Sequence, residues 1–124
     1  MLMEFIQTFK ALSDETRIRI LNLLMQRECC VCEIMQALDI SQTRASRNLN
    51  VLYDAGFLQL RKDGLWSLYS IDREGMKDFM PDLMQAVAKV VEVSPAAEHD
   101  VERLKNAERI GPGCAEKVRK EGVK

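Results

Sequence analysis

Histidine, proline and glycine are all scarce in this chain: His99 is the only histidine, with three prolines and six glycines among 124 residues. One histidine without a paired nucleophile and base leaves no catalytic constellation, and no glycine-rich loop is present to cradle phosphate. No apolar run approaches the roughly 20 residues that cross a bilayer. The N-terminus does not read as a secretory leader either, because Glu4 and Gln7 interrupt it. Strong charge of either sign is missing too; the formal net charge is -1, so no overall basicity advertises a nucleic-acid partner. These absences predict one cytoplasmic domain that neither catalyses a reaction nor enters a membrane.

The chain does have cysteine. Three of its four thiols fall in Cys29-Cys30-Val31-Cys32, and the fourth, Cys114, follows a Gly-Pro-Gly turn. In a reducing compartment, clustered cysteines point to metal or redox chemistry before structural disulfides. A single thiol would read as a small buried apolar residue; three in four residues favour ligation. Charge is uneven locally: between Ser41 and Lys62 the bases are Arg44, Arg47, Arg61 and Lys62, with Asp54 the only acid.

Apolar spacing predicts a helix from Leu2 through Phe9, then a second one capped by Ser13 and running through Ile18 to Met25. A third covers Glu33 to Leu38, and a fourth runs from a Ser41 cap to about Asp54, with Ala45, Leu49 and Leu52 inward. Ala55-Gly56 closes that helix. Apolar runs on either side of Asp63-Gly64 predict a hairpin. A long helix from about Arg73 to Val93 follows, with Pro81 kinking it or marking a late start. Residues 1–94 therefore read as the domain. Residues 95–124 read as a polar tail carrying Cys114, with one weak helical patch from Val101 to Ile110.

Four helices, a hairpin and a further helix make a mainly α winged helix-turn-helix, whose second reading helix enters the major groove of double-stranded DNA. The fourth helix carries Ser41, Gln42, Thr43, Arg44, Ser46, Arg47 and Asn48 on its polar face. Gln42 and Arg44 suit base edges, while Arg61 and Lys62 in the hairpin suit phosphate.

The segments ALSDETRIRILNLL, SQTRASRNLNVLYDAGFLQLRKDG and WSLYSI resemble the ArsR/SmtB family of metal-responsive repressors, over about residues 5 to 93. The family's Ser-Gln-x-x-x-Ser-x-x-Leu pattern matches Ser41, Gln42, Ser46 and Leu49, with Asn48 where members commonly have histidine. The resemblance implies a homodimer, built by the first and last helices, that binds operator DNA. Arsenic-sensing members carry Cys-Val-Cys where Cys30-Val31-Cys32 stands, which implies As(III) or Sb(III) as inducer. Their third cysteine lies three residues further on, where this chain has Met35.

The metal candidates are thus Cys29, Cys30, Cys32 and Cys114. Trivalent arsenic takes three thiolates, whereas Cd(II), Pb(II) and Zn(II) usually want four ligands. Either Cys29 or Cys114 is left to complete the set, and the shorter loop favours Cys29. In a regular helix Cys30 and Cys32 would diverge, so joint ligation predicts an unwound helix start. The Cys29-x-x-Cys32 spacing also allows a redox-sensing repressor, and four fixed ligands would instead make a zinc-stabilised protein-interaction domain.

Overall fold

The computed structural model describes residues 1–76 and 78–110, so Cys114 lies outside the described residues. The order is α1 (Leu2–Leu12), α2 (Glu15–Gln26), α3 (Val31–Leu38), α4 (Gln42–Asp54), β1 (Leu58–Asp63), β2 (Trp66–Ile71), α5 (Met80–Glu92) and α6 (Pro95–Lys105). It is a winged helix-turn-helix. No helix among the described residues is long and apolar enough to cross a membrane.

The α2 helix is the centre. Ile20, Leu21, Leu23 and Leu24 are all buried, so this helix meets neighbours on several faces, including α4, α5, α6 and β2. Its N-cap is Asp14, which accepts from Arg17 N at 3.1 Å, and not Ser13 as the sequence suggests. Ser13 instead ends α1, its hydroxyl donating to Lys10 O at 2.8 Å. Either short polar side chain can cap, and the extended backbone of Asp14 (φ -154°) decides between them.

Between α3 and α4 the chain reverses at Asp39, which takes a left-handed conformation (φ 55°) and lets Ile40 N reach Met35 O at 3.2 Å. Ser41 then caps α4 by accepting from Arg44 N at 3.1 Å. Ala45, Leu49 and Leu52 are buried, as the predicted inward stripe requires. In the wing, β1 and β2 pair antiparallel from Leu58↔Ile71 to Asp63↔Trp66. The loop is Gly64-Leu65, with Gly64 at φ 62°, the conformation that glycine supplies at the first position of a two-residue hairpin turn.

Two elements near the C-terminus differ from the sequence expectation. The last long helix starts at Met80, not Arg73, with Pro81 in its first turn, where a missing N–H is harmless. The polar segment from residue 95 is not a weak patch over 101–110; it forms α6, capped by Ser94 and packed on α2 and α3. Ala97, Asp100 and Leu104 face inward. The charge on Asp100 hides the apolar stripe, yet its carboxylate is only 1% exposed and takes two 2.7 Å hydrogen bonds from Arg19. Asn22 Nδ2 adds a bond to Ala97 O at 3.0 Å. Asp100→Ala should therefore lower stability by about 2 kcal/mol in urea unfolding, since it strips a half-buried guanidinium of its charged partner.

Candidate thiol site and nucleic-acid interface

The polar face that the sequence assigns to DNA begins at the α4 N-terminus. Ser41, Gln42, Thr43, Arg44 and Arg47 are exposed and Ser46 is half-buried. Arg44 Nη2 also donates to Thr16 Oγ1 at 2.9 Å, which ties it to α2. Asn48 is placed differently: it is 8% exposed, accepts from Arg17 Nη1 at 3.0 Å and donates to Arg44 O at 2.9 Å. In the wing, Arg61 and Lys62 are exposed on β1. Lys62 Nζ donates to Ser67 Oγ at 2.7 Å, and Arg61 Nε to Glu28 Oε2 at 3.0 Å. The Arg61 guanidinium in turn holds the Glu28 carboxyl below its ordinary range.

That ion pair leads to the thiols. Cys29 sits in an extended segment and makes a short bridge to the wing: Cys29 N donates to Tyr69 O at 3.0 Å and Tyr69 N to Cys29 O at 2.8 Å. Successive side chains of an extended strand point to opposite sides. Cys29 accordingly enters the main core, whereas Cys30 and Cys32 pack in a second small cluster around Leu68, flanked by Trp66 and Ile110. Burial, with the nearby Glu33 carboxylate adding to it, pushes the Cys29 thiol up to about 12.

Cys30 is the N-cap of α3, with φ -88° and ψ 169°, and therefore lies outside the regular helix. The premise that both thiols sit in a regular helix is not met, because only Cys32 belongs to the first turn of α3. Glu33 organises this corner. Its Oε1 accepts from Cys30 N at 2.9 Å and from Arg109 Nε at 3.0 Å, and its Oε2 pairs with Arg27 Nη1 at 2.5 Å. Burial opposes ionisation of Glu33, but the Cys30 amide and the two guanidinium groups outweigh it and hold the carboxyl below its ordinary range. Gln36, one turn on, donates to Cys32 Sγ at 3.2 Å and to Glu108 O at 2.8 Å, and accepts from Glu108 N at 3.1 Å. Arg103 Nη2, within α6, donates to Gln36 O at 2.9 Å, and with the Glu108 and Arg109 bonds α6 and the residues after it lie strapped across α3. Among the described residues no group of three metal-ligating side chains comes together.

Residues 14–59, from the α2 cap to the first residues of the wing, match the family model for bacterial regulatory proteins of the arsR family. The chain is also 32% identical to the homodimeric winged helix-turn-helix DNA-binding domain of a possible ArsR-family regulator from Mycobacterium bovis, with a TM-score of 0.63 over 73% of this chain and 81% of that one. The chain belongs to the ArsR family. It is 48% identical over 67 residues to the arsenical resistance operon repressor of Escherichia coli K12, covering 53% of this chain and 57% of that protein. It is 37% identical over 79 residues to a cadmium resistance regulatory protein CadC homolog of Staphylococcus aureus, covering 63% and 65%.

The stretch matched by the ArsR model thus contains the three clustered cysteines and all of α4. Sequence reasoning missed Arg27, Glu33, Gln36 and Arg109: Arg109 reaches Glu33 and Glu108 reaches Gln36 from across the fold, and Arg27 meets Glu33 only through the connection between α2 and α3. The one available signal was a capping box, Glu33 three residues past a non-standard cap, Cys30. Removing the Glu33 charge tests its role. Glu33→Gln should destabilise the protein by about 1 to 3 kcal/mol near neutral pH by leaving Arg27 and Arg109 without an anion. A carboxyl held low stabilises the fold above its unfolded pKa and loses that contribution as pH falls through the folded one. Wild-type stability should therefore drop below about pH 4.5, and the Gln variant should show a shallower drop in urea titrations across that range.

Proposed function

We propose that the protein is a homodimeric repressor that holds twofold-symmetric operator DNA and releases it when As(III) or Sb(III) is taken by Cys30, Cys32 and Cys114. The observation that carries this reading is the shared burial of Cys30 and Cys32 in one cluster at the N-terminus of α3, the helix that leads directly into α4. Cys29 belongs to the other cluster, so Cys114 is the better third thiolate. Ile110 packs on the thiol pair and its carbonyl accepts from Trp66 Nε1 at 3.3 Å. Cys114 is four residues further along, a span of at most about 14 Å.

Soft trivalent arsenic suits three sulfur donors. Three As–S bonds replace three As–OH bonds, and each departing hydroxyl leaves as water with a thiol proton, so no oxidant is required. The cadmium relative gives a second reading, Cd(II) at the same thiols; Pb(II) or Zn(II) would likewise need a fourth ligand.

Dimerisation fits the exposed apolar side chains of Phe5, Ile6 and Phe9 on α1 and Val90 on α5. Twofold symmetry would then set two α4 helices about 34 Å apart, one DNA turn. Within each protomer the thiol segment is linked to both elements proposed to face DNA. It opens α3, which turns into α4, and it is bonded to the wing through Cys29–Tyr69 and Glu28–Arg61. Movement of Cys30 toward a third thiolate is therefore transmitted to α4 and the wing together. A coupling of about 1 to 3 kcal/mol suffices for a clear change in DNA affinity.

The test is a release titration under reducing conditions, using a twofold duplex selected from random sequence by the wild-type dimer. Cys30→Ser and Cys32→Ser should each abolish release by As(III) while binding the duplex as wild type does. Cys114→Ser should raise the As(III) concentration for half-release by about tenfold or more, and Cys29→Ala should leave it unchanged. If Cys114→Ser responds normally and Cys29→Ala does not, the third ligand is Cys29. Release from the Cys30 and Cys32 variants at wild-type As(III) concentrations would sink the site altogether.

A further inference from the structure

Arg17, in the first turn of α2, joins three helices through one side chain. Its Nε donates to Ala11 O at 2.6 Å and its Nη2 to Lys10 O at 3.2 Å, which satisfies carbonyls at the C-terminus of α1. Nη1 of the same guanidinium donates to Asn48 Oδ1 at 3.0 Å, midway along α4. Asn48 is buried there and passes the connection on through Nδ2 to Arg44 O at 2.9 Å. Arg44 closes the loop by donating to Thr16 Oγ1, the neighbour of Arg17, at 2.9 Å.

A guanidinium holds its donors in a fixed plane, so three simultaneous bonds define both a distance and a rotation. Here they define the position of α4 against the end of α1. Arg17 is half-buried and its fork is directed at protein acceptors, which suits a brace better than a phosphate contact. In the dimer proposed above, α1 carries part of the shared face. Any displacement of α4 relative to α1 then enters twice into the separation of the two α4 helices.

We infer that Arg17 is a positioning residue for DNA binding: with Asn48 it locks α4 to α1 and so sets the spacing between half-sites that the dimer accepts. Asn48 acts in this relay and reads no base. The inference rests on the dimeric DNA-binding reading and deepens it by naming what determines operator spacing.

The experiment compares full-length wild type, Arg17→Lys, Arg17→Gln and Asn48→Ala by fluorescence anisotropy. The probes are the selected twofold duplex, the same duplex with one base pair added or removed between half-sites, and a set with single base changes. Thermal unfolding and sedimentation keep folded, dimeric variants in the comparison, and Arg17→Lys retains the charge should Arg17→Gln fail to fold. A positioning role predicts about tenfold weaker binding to the parent duplex, less preference for the parent spacing over the altered ones, and an unchanged salt slope. Asn48→Ala should show the same flattening, with its ranking of single base changes as in wild type.

Uniformly weaker binding at every spacing, with a salt slope reduced by about one, would mean that Arg17 contacts phosphate and would overturn the inference. Wild-type affinity and spacing preference in all folded variants would overturn it as well. A changed base ranking in Asn48→Ala would return that residue to base reading. If the wild-type protein selects no duplex at all, the DNA-binding reading fails first and carries this inference down with it.

Discussion

A buried carboxylate holds the thiol-bearing end of this molecule together. Glu33 accepts from the Cys30 amide, pairs with Arg27 at the end of α2 and pairs with Arg109 beyond α6. With its side chain only 3% exposed, an unpartnered charge there would be strongly destabilising, so the two arginines and the amide must be in place together. This requirement brings the C-terminal segment over α3 and leaves Cys30 and Cys32 beneath Trp66 and Ile110. The thiols lie where a carboxylate needed neighbours.

The opposite end of the domain obeys a similar constraint. Asn48 presents an amide to a buried position, and the Arg17 fork satisfies it while closing the end of α1. Between the two ends run α3 and the α3–α4 turn, where Asp39 supplies the one left-handed residue the reversal needs. The wing is attached at the thiol end by the Cys29–Tyr69 backbone bridge. A domain braced in this way moves its elements together.

The pattern of α4 was legible locally. Ser41 as a cap, Ala45, Leu49 and Leu52 as an inward stripe, and Gln42, Thr43, Arg44 and Arg47 on the exposed face all follow from helical spacing and short polar side chains. The hairpin followed from Gly64, and the clustered thiols were plain in the chain itself. Illegible were the features that need a partner distant in sequence. The buried pair of Asp100 with Arg19 spans most of the chain, and without it the segment from residue 95 reads as a polar tail. The Arg17–Asn48 hydrogen bond likewise joins residues far apart in the chain, and no local pattern announces it.

Local order therefore belongs to the sequence: which segments coil, where they are capped, which face is apolar and where the thiols gather. These depend on spacing and on side chains within a turn or two of one another. Only the tertiary structure decided how those parts are used. The extended backbone at residues 29 and 30 turned adjacent thiols to opposite sides, placing Cys29 in the core and Cys30 with Cys32. It also placed charges tens of residues apart in contact, because ions removed from water must find counter-ions wherever the fold brings them.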